Sequence, residues 1–129
     1  MAETDWLLDT SILVDVLRGY TEARDWIDSI AEAHRFTSVI TAAELIAGCR
    51  NRAEQRKIER ELQVYTPVWL DQDISQEALD LYRRFYLSHG IGFHDCLIAA
   101  TAIRRKYRVA TLNLKHFKIF SNIKANRPY

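Results

Sequence analysis

Four polar residues stand far apart in the chain, each close to the end of a short apolar run. Asp9 follows "WLL", Glu44 sits inside "TAAELIAG", Asp95 is at the head of "FHDCLIAATA", and Asn113 closes "RVATLN". Carboxylates brought to one place repel one another unless a cation stands between them. Oxygen donors without an accompanying set of histidines and cysteines suit Mg²⁺ or Mn²⁺ rather than zinc. An ion held in this way keeps open positions for phosphate oxygens, and its natural reaction is phosphodiester hydrolysis. Each residue also has a purely structural reading. Thr41 and Glu44 fit a Thr-x-x-Glu capping box. Asp95 in a first helical turn is favoured by the helix dipole. Asp9 suits the cap of a helix starting near Ser11, and Asn113 is a common turn residue.

The elements that must position these residues can be read from periodicity. "WLL" and "RVATLN" are short and apolar, and "RFTSVI" (35–40) is rich in β-branched residues; all three suit buried strands, with a further short one near Val68. Ile12, Leu13, Val16 and Leu17 fall at helical spacing before Gly19. A second helix is expected from Thr21 to Ala33. A third starts at Thr41, and the charged stretch from Arg50 to Glu61 continues as helix with opposite charges three and four apart. A long helix opens at Asp73 or Ser75, carries Leu79, Tyr82 and Tyr86 on one face, and stops at Gly90. In the helix that begins "FHDC", Cys96, Ala99, Ala100 and Ile103 share one face, widened by Leu97 and Ile98, so deep burial follows. The tail "FKIFSNIKANRPY" suits a short helix and a weak edge strand. Strands alternating with helices predict an α/β fold with a mostly parallel sheet covered on both sides. Ligands of such sheets bind beyond the carboxyl ends of the strands, which is where Asp9, Glu44, Asp95 and Asn113 are expected to meet.

Bulk properties bound the classes. The 129 residues fit one domain, 1–129, with an ordinary globular composition of 48% hydrophobic and 27% charged residues. The net charge of +1 does not announce a nucleic-acid or membrane binder, although local patches of either sign are compatible with it. Cys49 and Cys96 lie in apolar helical patterns, as free thiols in a reducing compartment would. The polar start "MAETDW" is no secretion signal, and no apolar run reaches membrane-spanning length. A soluble, cytoplasmic protein is expected.

The segments "LLDTSILVDVLRG", "SVITAAELIAGCRN", "HGIGFHDCLIAATAI" and "ATLNLKHF" occur in an order and at a spacing that together resemble PIN-domain ribonucleases, specifically VapC-type toxins of bacterial type II toxin–antitoxin systems. The resemblance spans nearly the whole chain. It implies a three-layer α/β/α sandwich and a Mg²⁺- or Mn²⁺-dependent endoribonuclease acting on RNA such as tRNA or rRNA. It also implies a cognate antitoxin that obstructs the active site, and a homodimer. Carried over by position, the family acids fall on Asp9, Glu44 and Asp95, which would bind metal. Thr10 and Ser11 match the hydroxyl residues after the first acid, and Thr111 matches the threonine that ends the fourth strand. The fourth acidic position is Asn113, where the family carries Asp or Asn. An amide brings an oxygen without a charge, so a single ion is expected before RNA binds. His116 replaces an acid of some relatives, and a surface histidine is the plainer reading.

Other chemistries fit poorly. His89, His94 and Cys96 lack a second Cys/His pair for zinc, and there is neither a Gly-x-Ser-x-Gly elbow nor a phosphate-binding glycine loop. Contact with RNA would need cations, with Arg18, Arg50, Arg52, Arg83, Arg84, Lys115 and Lys118 as candidates. The uncharged fourth position keeps one alternative open: a PIN fold that binds RNA or a protein without cutting.

Overall fold

The structure, a computed structural model, describes residues 3–129; Met1 and Ala2, the start of "MAETDW", lie outside the described residues. Five short strands form one sheet: β1 (Trp6–Leu8), β2 (Arg35–Ser38), β3 (Thr66–Val68), β4 (Arg108–Ala110) and β5 (Ala125–Asn126). Their order is β3-β2-β1-β4-β5, and every pairing is parallel. Side chains of β1 alternate between two apolar clusters, as a strand buried on both faces requires. Leu7 joins Val109 and the helices α5 (Gln72–His89) and α6 (Phe93–Arg105). Leu8 joins Ala110 on the opposite face, with α1 (Thr10–Leu17), α2 (Thr21–Asp28), α3 (Val39–Ala47) and α4 (Arg52–Leu62). The result is the expected three-layer α/β/α sandwich. Among the described residues no helix is long and apolar enough to cross a membrane.

Helix α6 has the burial its sequence predicts: Cys96 through Ala102 are all buried. Its alanines let it lie close to the sheet while α5 covers it with Ile74, Ala78 and Leu81. Complete burial of a leucine or isoleucine contributes about 1.5–3 kcal/mol, so this packing holds the amino end of α6 in a fixed place. Gly90 closes α5 in the left-handed region at φ 61°, which a residue without Cβ adopts freely.

Several boundaries differ from those expected. Helix α2 ends at Asp28, not Ala33, and a single 3₁₀ turn at Glu32–His34 leads into β2. Ser29 turns its hydroxyl back onto the Trp26 carbonyl at 2.5 Å at this helix end. Helix α3 begins at Val39 rather than Thr41, because Ser38 Oγ accepts the Ile40 N–H at 3.1 Å. Helix α5 begins at Gln72, with Asp71 accepting the Ile74 N–H at 2.9 Å. Leu79 and Tyr86, expected on one face of α5, lie exposed.

Candidate active site

Strand β1 has β2 on one side and β4 on the other, so the connections leave it in opposite directions and open a crevice at its carboxyl end. The chain places Asp9 there, one residue beyond Leu8. Its backbone N–H extends the ladder to the Ala110 carbonyl at 2.9 Å. Thr111 follows Ala110 on the neighbouring strand, so the register that pairs Leu8 with Ala110 sets Thr111 beside Asp9. Thr111 Oγ1 donates to Asp9 Oδ2 at 2.8 Å and accepts the Asn113 N–H at 2.9 Å. Ser11 Oγ donates to the same carboxylate oxygen at 3.0 Å and accepts the Leu112 N–H at 3.0 Å. Two hydroxyls, each fixed by a backbone donor, therefore hold one oxygen of Asp9.

Glu44 reaches the crevice from the second turn of α3. Thr10 Oγ1 lies 3.2 Å from Glu44 Oε1 and 3.3 Å from the Oγ1 of Thr41, which is wholly buried. Glu44 is therefore not the partner of a Thr41 cap. Asp95 comes from the first turn of α6. Burial pushes its carboxyl above the ordinary carboxylate range; His116 opposes this, while Asp9 and Glu44 push it further up. Nδ1 of His116 lies 3.4 Å from Asp95 Oδ2.

One cavity of about 420 Å³ is lined by Asp9, Thr10, Ser11, Glu44, Asp95 and Asn113, with Val14, Asp15, Arg18, His94, Ile98, Leu112 and His116 completing its wall. All four residues singled out from sequence line it, and Thr111 stands behind Asp9. Sequence reading missed the placement of Asp15 in this wall; His116 is the surface histidine expected, and its place at the cavity is what the structure adds. Asp15 was legible in principle: Ser11, Val14, Asp15 and Arg18 are spaced i, i+3, i+4 and i+7 and share one face of α1. His116 was not, because its orientation depends on a 3₁₀ turn, Leu114–His116.

The donor chemistry of this cavity, carboxylate oxygens with an amide and hydroxyls, suits a hard divalent cation. Among the described residues no three acidic, histidine or cysteine side chains form a ready-made ligand set. The acids stand as separate walls, and Asp95 resists ionisation beside them. Burial is the main cause of that resistance and the charges of Asp9 and Glu44 add to it, an addition that a cation among the three acids would relieve.

Parallel sheet, covering helices and an acidic cavity at the switch point define an α/β sandwich whose ligand site is set by the ends of its strands. The chain belongs to the PIN domain family, whose model matches residues 6–121, and it stands with that family's VapC ribonucleases. Ribonuclease VapC10 of Mycobacterium tuberculosis is 40% identical over 120 residues, covering 92% of this chain and 90% of the relative. The crystal structure of VapBC2 from Rickettsia felis bound to a DNA fragment from their promoter matches with a TM-score of 0.82 at 24% identity, over 94% of this chain and 96% of the other. A toxin–antitoxin complex from Klebsiella pneumoniae matches with a TM-score of 0.79 at 24% identity, over 95% and 97%.

Proposed function

We propose that the protein is an endoribonuclease toxin that hydrolyses RNA phosphodiesters with Mg²⁺ or Mn²⁺ in the cytoplasm, and that a cognate antitoxin silences it by covering the cavity. The observation that carries this reading is the meeting of three carboxylates, from the starts of α1 and α6 and the second turn of α3, in one cavity at the strand ends, one of them buttressed by two hydroxyls. The relatives named ribonuclease support the activity, and the toxin–antitoxin complex of the same fold supports the partner. Structured RNAs such as tRNA or rRNA are the substrates proposed.

Asp9, Glu44 and Asp95 would hold the ion, with Asn113 as an uncharged oxygen beside them. When bound, the ion supplies charge that polarises the phosphate and makes water a better nucleophile. The chain's own part is positional. Ser11 and Thr111 fix Asp9 Oδ2, Thr10 restrains Glu44, and the buried helix α6 carries Asp95. His116, at the mouth, offers a donor to a phosphate oxygen or to Asp95.

A homodimer is proposed through the exposed apolar face of α5, where Leu79, Tyr86 and the 94%-exposed Leu87 lie uncovered. Leu87→Glu should then shift sedimentation from dimer to monomer.

The test of the activity is purified protein incubated with total RNA and Mg²⁺. Cleavage should stop with EDTA and be absent in Asp9→Ala, whose circular dichroism should match wild type. Cleavage that persists in EDTA, or in Asp9→Ala, would overturn the assignment. Tight RNA binding without any cleavage would instead favour a non-catalytic PIN module.

A further inference from the structure

The central cavity does not stand alone. On the α1 side it runs into a second cavity of about 490 Å³, with Thr10, Val14, Arg18 and Glu44 common to both. Val14, Leu17, Leu45 and Ile58 give this second cavity an apolar wall. On the α6 side a third cavity of about 400 Å³ shares Asp95 and His116 with the centre. Its floor includes the glycines 90 and 92, where nothing stands within 4 Å of the position a side chain would take. The three form a chain of cavities with the carboxylates in the middle.

Charge is distributed along it in a definite pattern. Arg18 lines both the central and the α1-side cavity and reaches a further one beside Arg24 and Lys57. Arg24, Arg50 and Arg84 are each engaged by a carboxylate. Among the described residues Arg18 ends in no ion pair. At the other end Lys115 is exposed at the third cavity, next to His116. An acidic centre repels a polyanion, so a strand crossing it needs cations on both sides, and Arg18 and Lys115 are placed to supply them.

We propose that the three cavities form one path for a single strand of RNA, with Arg18 holding a phosphate on the α1 side of the scissile bond and Lys115 one on the α6 side. The inference rests on the ribonuclease reading and adds to it the direction in which substrate crosses the site. The apolar wall beside Arg18 takes an unpaired base, which a base-paired helix could not present there. Arg52, Arg83 and Lys118, candidates by sequence, line none of these cavities.

The test is equilibrium binding of a short unstructured oligoribonucleotide in EDTA, where cutting stops, over a series of salt concentrations. For single strands the slope of log K against log salt changes by about 0.7 for each phosphate contact. Arg18→Ala and Lys115→Ala should each flatten the slope by about 0.7, and the double variant by about 1.4. Arg83→Ala, which removes the same charge from an exposed position on α5, should leave it unchanged, and the duplex of the same sequence should bind more weakly. Equal flattening in Arg83→Ala would show a diffuse field instead of a path, and duplex binding as tight as single strand would exclude the single-strand fit; either overturns the proposal. If wild type cuts RNA with Mg²⁺ but the Arg18 and Lys115 variants keep the wild-type slope, the path is wrong and the ribonuclease reading survives. If wild type neither binds nor cuts RNA, both fall.

Discussion

Thr111→Val separates the positioning of Asp9 from simple packing. Thr111 is wholly buried, and its hydroxyl serves two neighbours: it donates to Asp9 Oδ2 at 2.8 Å and accepts the Asn113 N–H at 2.9 Å. Valine keeps the β-branched shape that suits a strand end but removes both bonds. The N–H of Asn113 and one oxygen of Asp9 each lose a partner, a cost of about 1–2 kcal/mol once water from the adjoining cavity makes up part of it. For a chain of this size that is a fall in Tm of roughly 3–8 °C. Loss of a group that orients a ligand typically weakens metal binding about 10–100-fold. Thr101→Val is the control, because Thr101 is equally buried and donates to the Leu97 carbonyl at 2.8 Å, within its own helix and away from the acids. Both variants should melt below wild type in EDTA. Only Thr111→Val should bind Mn²⁺ more weakly by calorimetry. If Thr111→Val binds Mn²⁺ as tightly as wild type, the hydroxyl is structural and the reasoning about Asp9 fails.

Asp95→Asn should cut RNA at least about 10²–10³-fold more slowly, the scale of losing one electrostatic stabiliser, and yet melt higher than wild type in metal-free neutral buffer. Its carboxyl is raised mainly by burial, so its contribution favours folding below the ordinary carboxylate range and is lost as pH rises through the raised value. At neutral pH the charged form opposes folding, and asparagine removes that opposition; Mg²⁺ should reverse the order by stabilising wild type alone. Glu61→Gln should destabilise by about 1–3 kcal/mol at pH 7, read by urea unfolding. Burial disfavours the Glu61 charge, but hydrogen bonds from Arg24 at 2.5 Å and Tyr65 at 2.6 Å outweigh it and hold the carboxyl below its ordinary range. That stabilisation is present above the ordinary carboxylate pKa and fades as pH falls through the lowered one, so the deficit should close in acid. Mn²⁺ titration of the RNA-free protein should give one well-occupied site, since Asn113 adds no charge to hold a second ion; two tight sites would contradict this.

Much of the architecture is legible in the sequence because burial on both faces of a sheet leaves a mark. "WLL" is wholly apolar, and from Cys96 to Ile103 α6 has only Thr101 as a polar residue, as its place between sheet and α5 demands. Boundaries were less legible because single polar atoms decided them. Val39 and Ile40, at the end of the β-branched run "RFTSVI", looked like strand, but the hydroxyl of Ser38, the last residue of β2, starts α3 two residues before the position expected. The face of α5 was legible only in part, for another reason. Leu79, Tyr82 and Tyr86 have helical spacing, which shows that they share a face but not which surface covers it; the sheet side is instead packed by Ile74, Ala78 and Leu81. For the candidate site, residue types and strand ends brought Asp9, Glu44, Asp95 and Asn113 together on the page, whereas the cavities that group Arg18 and Lys115 with them depend on loop geometry that no periodicity records.

The competing explanation for those acids was helix capping, and it has force, because helices of a parallel sheet on the β-to-α connections begin at the same end. The caps themselves separate the two. Helices α3, α4 and α5 are closed by the side chains of Ser38, Asn51 and Asp71, each accepting a backbone N–H. Helices α1 and α6, whose amino ends carry Asp9 and Asp95, have no side-chain cap bond at all. Asp9 occupies the cap position of α1 but accepts hydrogen bonds from Ser11 and Thr111 side chains instead. Forgoing a cap costs about 1 kcal/mol at each helix. Helix α2 also starts without a side-chain cap; what distinguishes the cavity is that the carboxylate in the cap position of α1 is held by side-chain hydroxyls and not by its own helix. That is the pattern of residues kept for a ligand: the helix dipole still favours their charge, while their oxygens face the space in which a cation and a phosphate would lie.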